Sequence, residues 1–280
     1  MQFRPLLVVG ATTLAASFHA SGSDLFGVEF SGPTDLFKIN QASGLVSSVG
    51  PSGQDNLGDL TSDTRPGSER LWGVRIASSE LFEFNPATGA ATSAALLDSP
   101  DKMVSIAFDP VGGKLYGNTS AGFGAPFDAL YEINPATGST TFIGRILFDN
   151  VFALGFDQSG KLFGVSDATD DLISINTATG NGTFIADLSV AFAFDLASRP
   201  EDGVMFLADS GTFSLYTVDT STGALGLVGG YGGFPNVVGL AFMPGSAVVP
   251  EGSTYLAGGL LGGMLVGARF LRRRRQTAGR

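Results

Sequence analysis

Four aspartates recur at one position of a repeated pattern. Asp55, Asp101, Asp149 and Asp187 each precede a short apolar stretch, Asn56 and Asn150 follow two of them, and Asn236 holds the matching place in a fifth copy. Carboxylates and amides are the groups that take a hard cation such as Ca2+ or meet sugar hydroxyls. If the stretches they precede surround a common axis, these side chains form a ligand or cation ring at a channel mouth. Asp and Asn also suit a turn that leads into a strand, so plain turn chemistry competes with the ring. A second set, Asp63, Asp109, Asp157 and Asp195, follows the same stretches; Asp109-Pro-Val-Gly-Gly and Asp157-Gln-Ser-Gly mark it as turn chemistry.

Other chemistry is excluded by what the chain lacks. It has no Cys, so neither disulfides nor thiolate metal sites exist. Its one histidine, His19, lies at the edge of an N-terminal apolar segment read below as cleaved. No Ser-His-Asp triad, Cys-His pair or histidine base can then form, which leaves carboxylates as the reactive groups. No phosphate loop or metal-spaced cluster is present, and no catalytic residue, metal ligand or cofactor is assigned beyond the Ca2+ that the aspartate ring would take. From Asp24 to Pro250 there are 25 acidic and 9 basic side chains, a net charge of −16. Such a surface repels phosphate backbones and excludes nucleic acid as a partner.

The elements that must position the aspartates form one unit repeated five times. A turn recurs as Asn40-Gln-Ala-Ser-Gly44, Asn85-Pro-Ala-Thr-Gly89, Asn134-Pro-Ala-Thr-Gly138, Asn176-Thr-Ala-Thr-Gly180 and Asp219-Thr-Ser-Thr-Gly223, at intervals of 42 to 49 residues. The Asn or Asp side chain bonds the backbone ahead of it and the Gly takes positive φ, so each copy reverses the chain between antiparallel strands. An alternating strand precedes every turn and a short Thr/Val/Ile/Leu strand follows it. Upstream lie Leu25-Phe-Gly27, Leu71-Trp-Gly73, Leu115-Tyr-Gly117, Leu162-Phe-Gly164 and the divergent Met205-Phe-Leu207. The aromatics Phe26, Trp72, Tyr116, Phe163 and Phe206, one per repeat, read as packing between units. The fourth strand is expected at Leu57–Ser62, Met103–Phe108, Val151–Phe156, Ser189–Phe194 and Val237–Phe242.

Four strands at this period predict an all-β, five-bladed β-propeller of four-stranded antiparallel blades over residues 24–246. With the Val-x-x-Leu-Ala-Phe strand innermost, the chain begins on the second strand of a blade at Asp24 and ends on an unmatched innermost strand at Val237–Phe242. Pairing the two orphans closes the ring with a blade shared between the N- and C-terminal strands and leaves no open edge. The repeats resemble bacterial propellers akin to the NHL type, with Ile106–Gly117 and Leu154–Gly164 nearest that pattern. That family spans enzymes, lectins and scaffolds, so the resemblance implies a fold and not an activity.

The two ends read as addresses. Met1–Arg4 is basic, Leu6–Ala16 is apolar and Ser17–Ser23 is rich in small residues, the order of a Sec-type signal peptide over residues 1–22 that signal peptidase would remove. Residues 247–280 combine a motif at 249–254, an apolar span at 255–271 of a length suited to a thin bilayer, and an Arg-rich end at 269–280. The motif Val249-Pro250-Glu251-Gly252-Ser253-Thr254, the Gly/Leu-rich span and the Arg cluster resemble the PEP-CTERM sorting signal of Gram-negative bacteria, with Gly252 where that family has a second proline. The resemblance implies a transmembrane helix, transit through the inner membrane, and an exosortase-like enzyme as partner. It further implies export to the periplasm, cell surface or extracellular polysaccharide matrix of a biofilm.

These readings together point to a non-enzymatic exported binding or structural module, with a polysaccharide or surface protein as partner. Two other readings stand beside it. One is a carboxylate-dependent glycoside hydrolase or lyase acting on matrix polysaccharide, and the other is a calcium-stabilised scaffold.

Overall fold

A computed structural model describes residues 22–245, apart from 191, 234 and 235. The signal peptide, the motif at 249–254, the apolar span and the Arg-rich end lie outside the described residues.

Each repeat folds as a four-stranded antiparallel blade. The described residues begin with β1 (Asp24–Glu29), β2 (Thr34–Ile39) and β3 (Val46–Gln54). Blade 2 follows as β4 (Leu57–Asp63), β5 (Arg70–Arg75), β6 (Glu80–Phe84) and β7 (Ala91–Leu96). Blade 3 is β8 (Met103–Phe108), β9 (Leu115–Thr119), β10 (Ala129–Ile133) and β11 (Thr140–Arg145). Blade 4 is β12 (Val151–Phe156), β13 (Leu162–Ser166), β14 (Asp171–Ile175) and β15 (Gly182–Asp187). Blade 5 is β16 (Ala193–Ser198), β17 (Met205–Asp209), β18 (Ser214–Val218) and β19 (Leu225–Gly230).

The last strand, β20 (Val237–Met243), returns to pair with β1, giving blade 1 the order β20-β1-β2-β3. The pairing runs from Asp24 opposite Met243 to Glu29 opposite Val237. Closure by a shared blade, expected from the two orphan strands, is the observed topology, and β20, β4, β8, β12 and β16 form a continuous inner ring.

Local chemistry explains the blades. In blade 1 the Asn40 side chain accepts the N–H groups of Ala42 and Ser43, and its carbonyl accepts that of Gly44 at 2.8 Å. Gly44, Gly89, Gly138, Gly180 and Gly223 all have φ between 74° and 80°, a conformation that costs other residues energy. These turns are also where blades touch. A Cβ on Gly89 would fall 2.2 Å from the carbonyl oxygen of Gly50 in the preceding blade.

The apolar faces of the strands meet between blades. Five buried clusters fill the five blade interfaces, and each contains one of the recurring aromatics, as the sequence implies: Phe26, Trp72, Tyr116, Phe163 and Phe206. Trp72 packs on Phe108 and Tyr116 on Phe156, each at 5.5 Å between ring centroids.

One strand is misplaced by the sequence pattern. The innermost strand of blade 5 runs over Ala193–Ser198 rather than Ser189–Phe194. The sequence pattern puts Phe194 where the other inner strands end on Phe108, Phe156 and Phe242, but Ser198 holds that position. Leu188 and Val190 belong to the connecting loop and sink into the interface between blades 4 and 5. Asp195 therefore sits inside a strand and not in the turn after it. Asp187, the last residue of β15, stands six residues ahead of its strand instead of two.

Candidate functional site

All five innermost strands carry the same irregularity. Their register slips by one residue at the second position, at Gly58, Val104, Phe152, Phe194 and Val238. Such a bulge bends the strand and re-aims side chains. Val104 and Phe152 are buried together with Ile76, and Phe30, Phe123 and Phe194 pack onto them. The rings of Phe152 and Phe194 stack at 5.6 Å with 9° between planes, while Phe123 meets Phe152 edge-on at 5.3 Å. An aromatic plug thus fills the mouth where the inner strands start.

One residue deeper, the ring positions are Asp59, Ser105, Ala153, Asp195 and Gly239. Asp59 and Asp195 are fully buried. Asp59 accepts the N–H of Leu60 at 2.7 Å on Oδ1, and on Oδ2 it accepts the N–H of Ile106 at 2.8 Å and the Ser105 hydroxyl. Asp195 accepts the N–H of Leu196 at 2.6 Å on Oδ1 and that of Leu240 on Oδ2. The two carboxyl groups are hydrogen-bonded to each other. Burial pushes Asp59 up, and burial together with the Asp59 charge pushes Asp195 up. Two carboxyls set against each other in a dry site oppose double ionisation, which favours a proton held between them.

The residues expected to ring the mouth stand in different settings. Asn56 and Asn150 take positive φ of 53° and 54° directly ahead of β4 and β12. Their carbonyls accept the N–H groups of Ile76 and Asp167, and Phe192 takes the equivalent place in blade 5 at φ 68°. Left-handed backbone is a conformation Asn tolerates, so the turn role accounts for both asparagines.

Asp55 is exposed and 3.8 Å from Arg75. Asp149 is exposed, and its backbone carbonyl accepts the Ser166 hydroxyl. The Asn236 Oδ1 is buried with no hydrogen-bond partner among the described residues. Asp187 caps its own loop through Ser189 and, by the shift above, lies outside the ring. Among the described residues no three acidic side chains come close enough together to hold a metal ion.

Asp101 has a different setting. With Lys102 it lines a groove of about 400 Å³ on the strand-start end, beside Ser78, Ser79, Ser99 and Phe123. Neither the Asp101 carboxylate nor the Lys102 ammonium makes a hydrogen bond or ion pair among the described residues. Phe123 stands on a 3-10 turn, Ala121–Phe123, held by Asp128. Asp128 accepts the N–H groups of Ala121 and Val151, each at 2.7 Å. Burial raises the Asp128 carboxyl above its ordinary range.

At the opposite mouth the inner strands end around a cavity of about 50 Å³, lined by Thr61, Ser62, Gln158, Ser198 and apolar groups from all five blades. That volume holds a few waters. No carboxylate lines it.

The buried pair is the part that sequence reasoning missed. Its one signal is an Asp-Leu step, Asp59-Leu60 and Asp195-Leu196, shared by two inner strands once they are aligned on Leu60, Ile106, Leu154, Leu196 and Leu240.

No protein-family model matches the chain, and no curated protein matches it. Among solved structures, the crystal structure of a nidogen/laminin complex is similar, with a TM-score of 0.57 at 10% identity over 79% of this chain and 98% of that one. At that identity the likeness shows the β-propeller fold alone.

Proposed function

We propose that this propeller is an exported, non-enzymatic binding module that is displayed at the cell surface or in the extracellular polysaccharide matrix and holds neutral polysaccharide on its strand-start end. The observation that carries the reading is the disposition of the acids. The two central carboxyls are sealed in the channel and spent on backbone amides, and the cavity where the inner strands end has no carboxylate lining, so a glycosidase pair flanking a bound sugar finds no place there. The Asp101–Lys102 groove supplies an acceptor, a donor, three serine hydroxyls and a phenyl wall, the mixture that binds a polyol. The net charge of −16 disfavours anionic chains.

Sorting rests on residues outside the described structure. The motif Val249–Thr254, the apolar span and the Arg-rich end support processing by an exosortase-like enzyme after signal-peptide removal.

The test is an array of neutral and acidic glycans probed with the full chain, its Asp101→Ala variant and its Phe123→Ala variant. Neutral glycans should be retained by the parent and lost by both variants at unchanged melting temperature. Equal binding by all three proteins removes the groove from the reading. Release of reducing ends from any retained glycan would overturn the non-enzymatic reading.

A further inference from the structure

We infer that the Asp59–Asp195 pair is a proton-operated clasp for the ring: with its shared proton in place it ties four blades together across the axis, and loss of that proton loosens the closure made by β20.

The geometry sets the reach of the clasp. Asp59 on β4 bonds its own strand at Leu60 and the next strand, β8, at Ser105 and Ile106. Asp195 on β16 bonds its own strand at Leu196 and the next strand, β20, at Leu240. The carboxyl–carboxyl hydrogen bond then links β4 to β16, which are not ring neighbours because β20 lies between them. Blades 1, 2, 3 and 5 thus meet at one proton. Blade 4 presents Ala153 at this level and takes no part. The ring has room for the pair because its β20 position is Gly239, where a Cβ would fall 2.6 Å from the Leu60 nitrogen.

The surroundings provide no substitute for the proton. Strands β8, β12, β13 and β20 bring no titratable side chain. β4 brings Asp63, β1 brings Asp24 and Glu29, and β17 brings Asp209. Burial first, and then the charges of Asp209 and Asp195, push the Tyr231 hydroxyl up. The basic groups on β5, Arg70 and Arg75, are engaged by Glu83 and Glu80. Removing the proton therefore sets two unscreened negative charges against each other inside the ring.

The direction with pH follows from the raised folded-state values. A carboxyl raised by burial contributes in full below its unfolded pKa of about 4. Each contribution declines as pH climbs from there and is gone above the folded value of its own carboxyl, about 7 for Asp59, with Asp195 also held well above the ordinary carboxylate range. The propeller should hold tighter in mildly acidic than in alkaline surroundings.

The experiment compares the melting temperature of the full chain and of Asp195→Asn at pH 5.5 and 8.5. Asn keeps an N–H donor toward Asp59 but cannot titrate, and it loses one acceptor for a backbone amide. The parent should lose on the order of 5–10 °C between the two pH values. The variant should start lower and lose less than half as much, since Asp128 and other raised carboxyls remain in both proteins. Should the variant not fold, carboxyl 13C shifts of Asp-labelled parent decide: two coupled signals titrating above the ordinary Asp range support the clasp. A parent melting temperature that does not fall with pH, an equal fall in the variant, or two carboxylates already ionised at pH 5.5 would overturn it.

Discussion

Leu25, the second residue of the first strand, lies directly opposite Phe242, the sixth residue of the last, and both are buried in the interface between blades 5 and 1. Phe242 also meets Phe206 of blade 5 in a T-shaped contact at 5.4 Å. The first and last described strands are thus joined inside a core, and one unfolding unit should include the whole ring. A chain ending at residue 236 should lose cooperative melting throughout, not in blade 1 alone. In the intact chain Phe242→Ala should cost about 3–5 kcal/mol by urea denaturation, whereas Phe184→Ala on the exposed outer strand β15 should stay within about 0.5 kcal/mol.

Gly89 and Gly32 separate two effects of adding a methyl group. Both have positive φ, 80° and 85°, but a Cβ on Gly32 meets nothing within 4 Å, while one on Gly89 runs into the Gly50 carbonyl. Gly32→Ala should cost about 1 kcal/mol, the left-handed backbone term. Gly89→Ala should cost at least about twice that, because two blades must move apart. Denaturant midpoints at equal m-value measure the difference.

Asp128 connects the loop that carries Phe123 to the first amide of β12. Asp128→Ala leaves the Ala121 and Val151 amides without their acceptor and should cost about 1–3 kcal/mol. Amide exchange at Ala121 and Val151 should quicken first, and neutral-glycan binding should weaken with it because the phenyl wall of the groove is released. Faster exchange with undiminished binding would separate Phe123 from the site.

Pro250 and Glu251 distinguish a processed tail from a plain anchor. An anchor needs only apolar length and a positive cytoplasmic end, so Pro250→Ala with Glu251→Ala should not change its fate. A sorting signal must be read, and the same change should leave the tail attached. Mass spectrometry of the surface form from a native host should find the Arg280 terminus missing from the parent and present in the variant. Arg280 retained in the parent would refute processing.

Most of the fold was legible because each blade repeats local chemistry. Asn or Asp four residues ahead of a positive-φ Gly specifies a hairpin whatever surrounds it, and alternating apolar residues specify the face that a neighbouring blade will cover. The orphan strands at Asp24 and Val237 even dictated how the ring closes, since an unpaired inner strand has only one complementary partner in the chain.

The inside of the ring was decided elsewhere. Asp55, Asp101, Asp149 and Asp187 share a sequence context, yet they end as an exposed ion-pair partner, a groove wall, a solvated loop residue and a turn cap. Asp59 and Asp195 look no different from turn aspartates along the chain, but each meets an inward-facing amide of the next blade, Ile106 or Leu240, and then meets the other. Sequence determined the blades because hairpins and faces are set over a few neighbouring residues. Which carboxyls lose water and share a proton depended on backbone groups brought to the axis from other blades, so tertiary structure alone decided it.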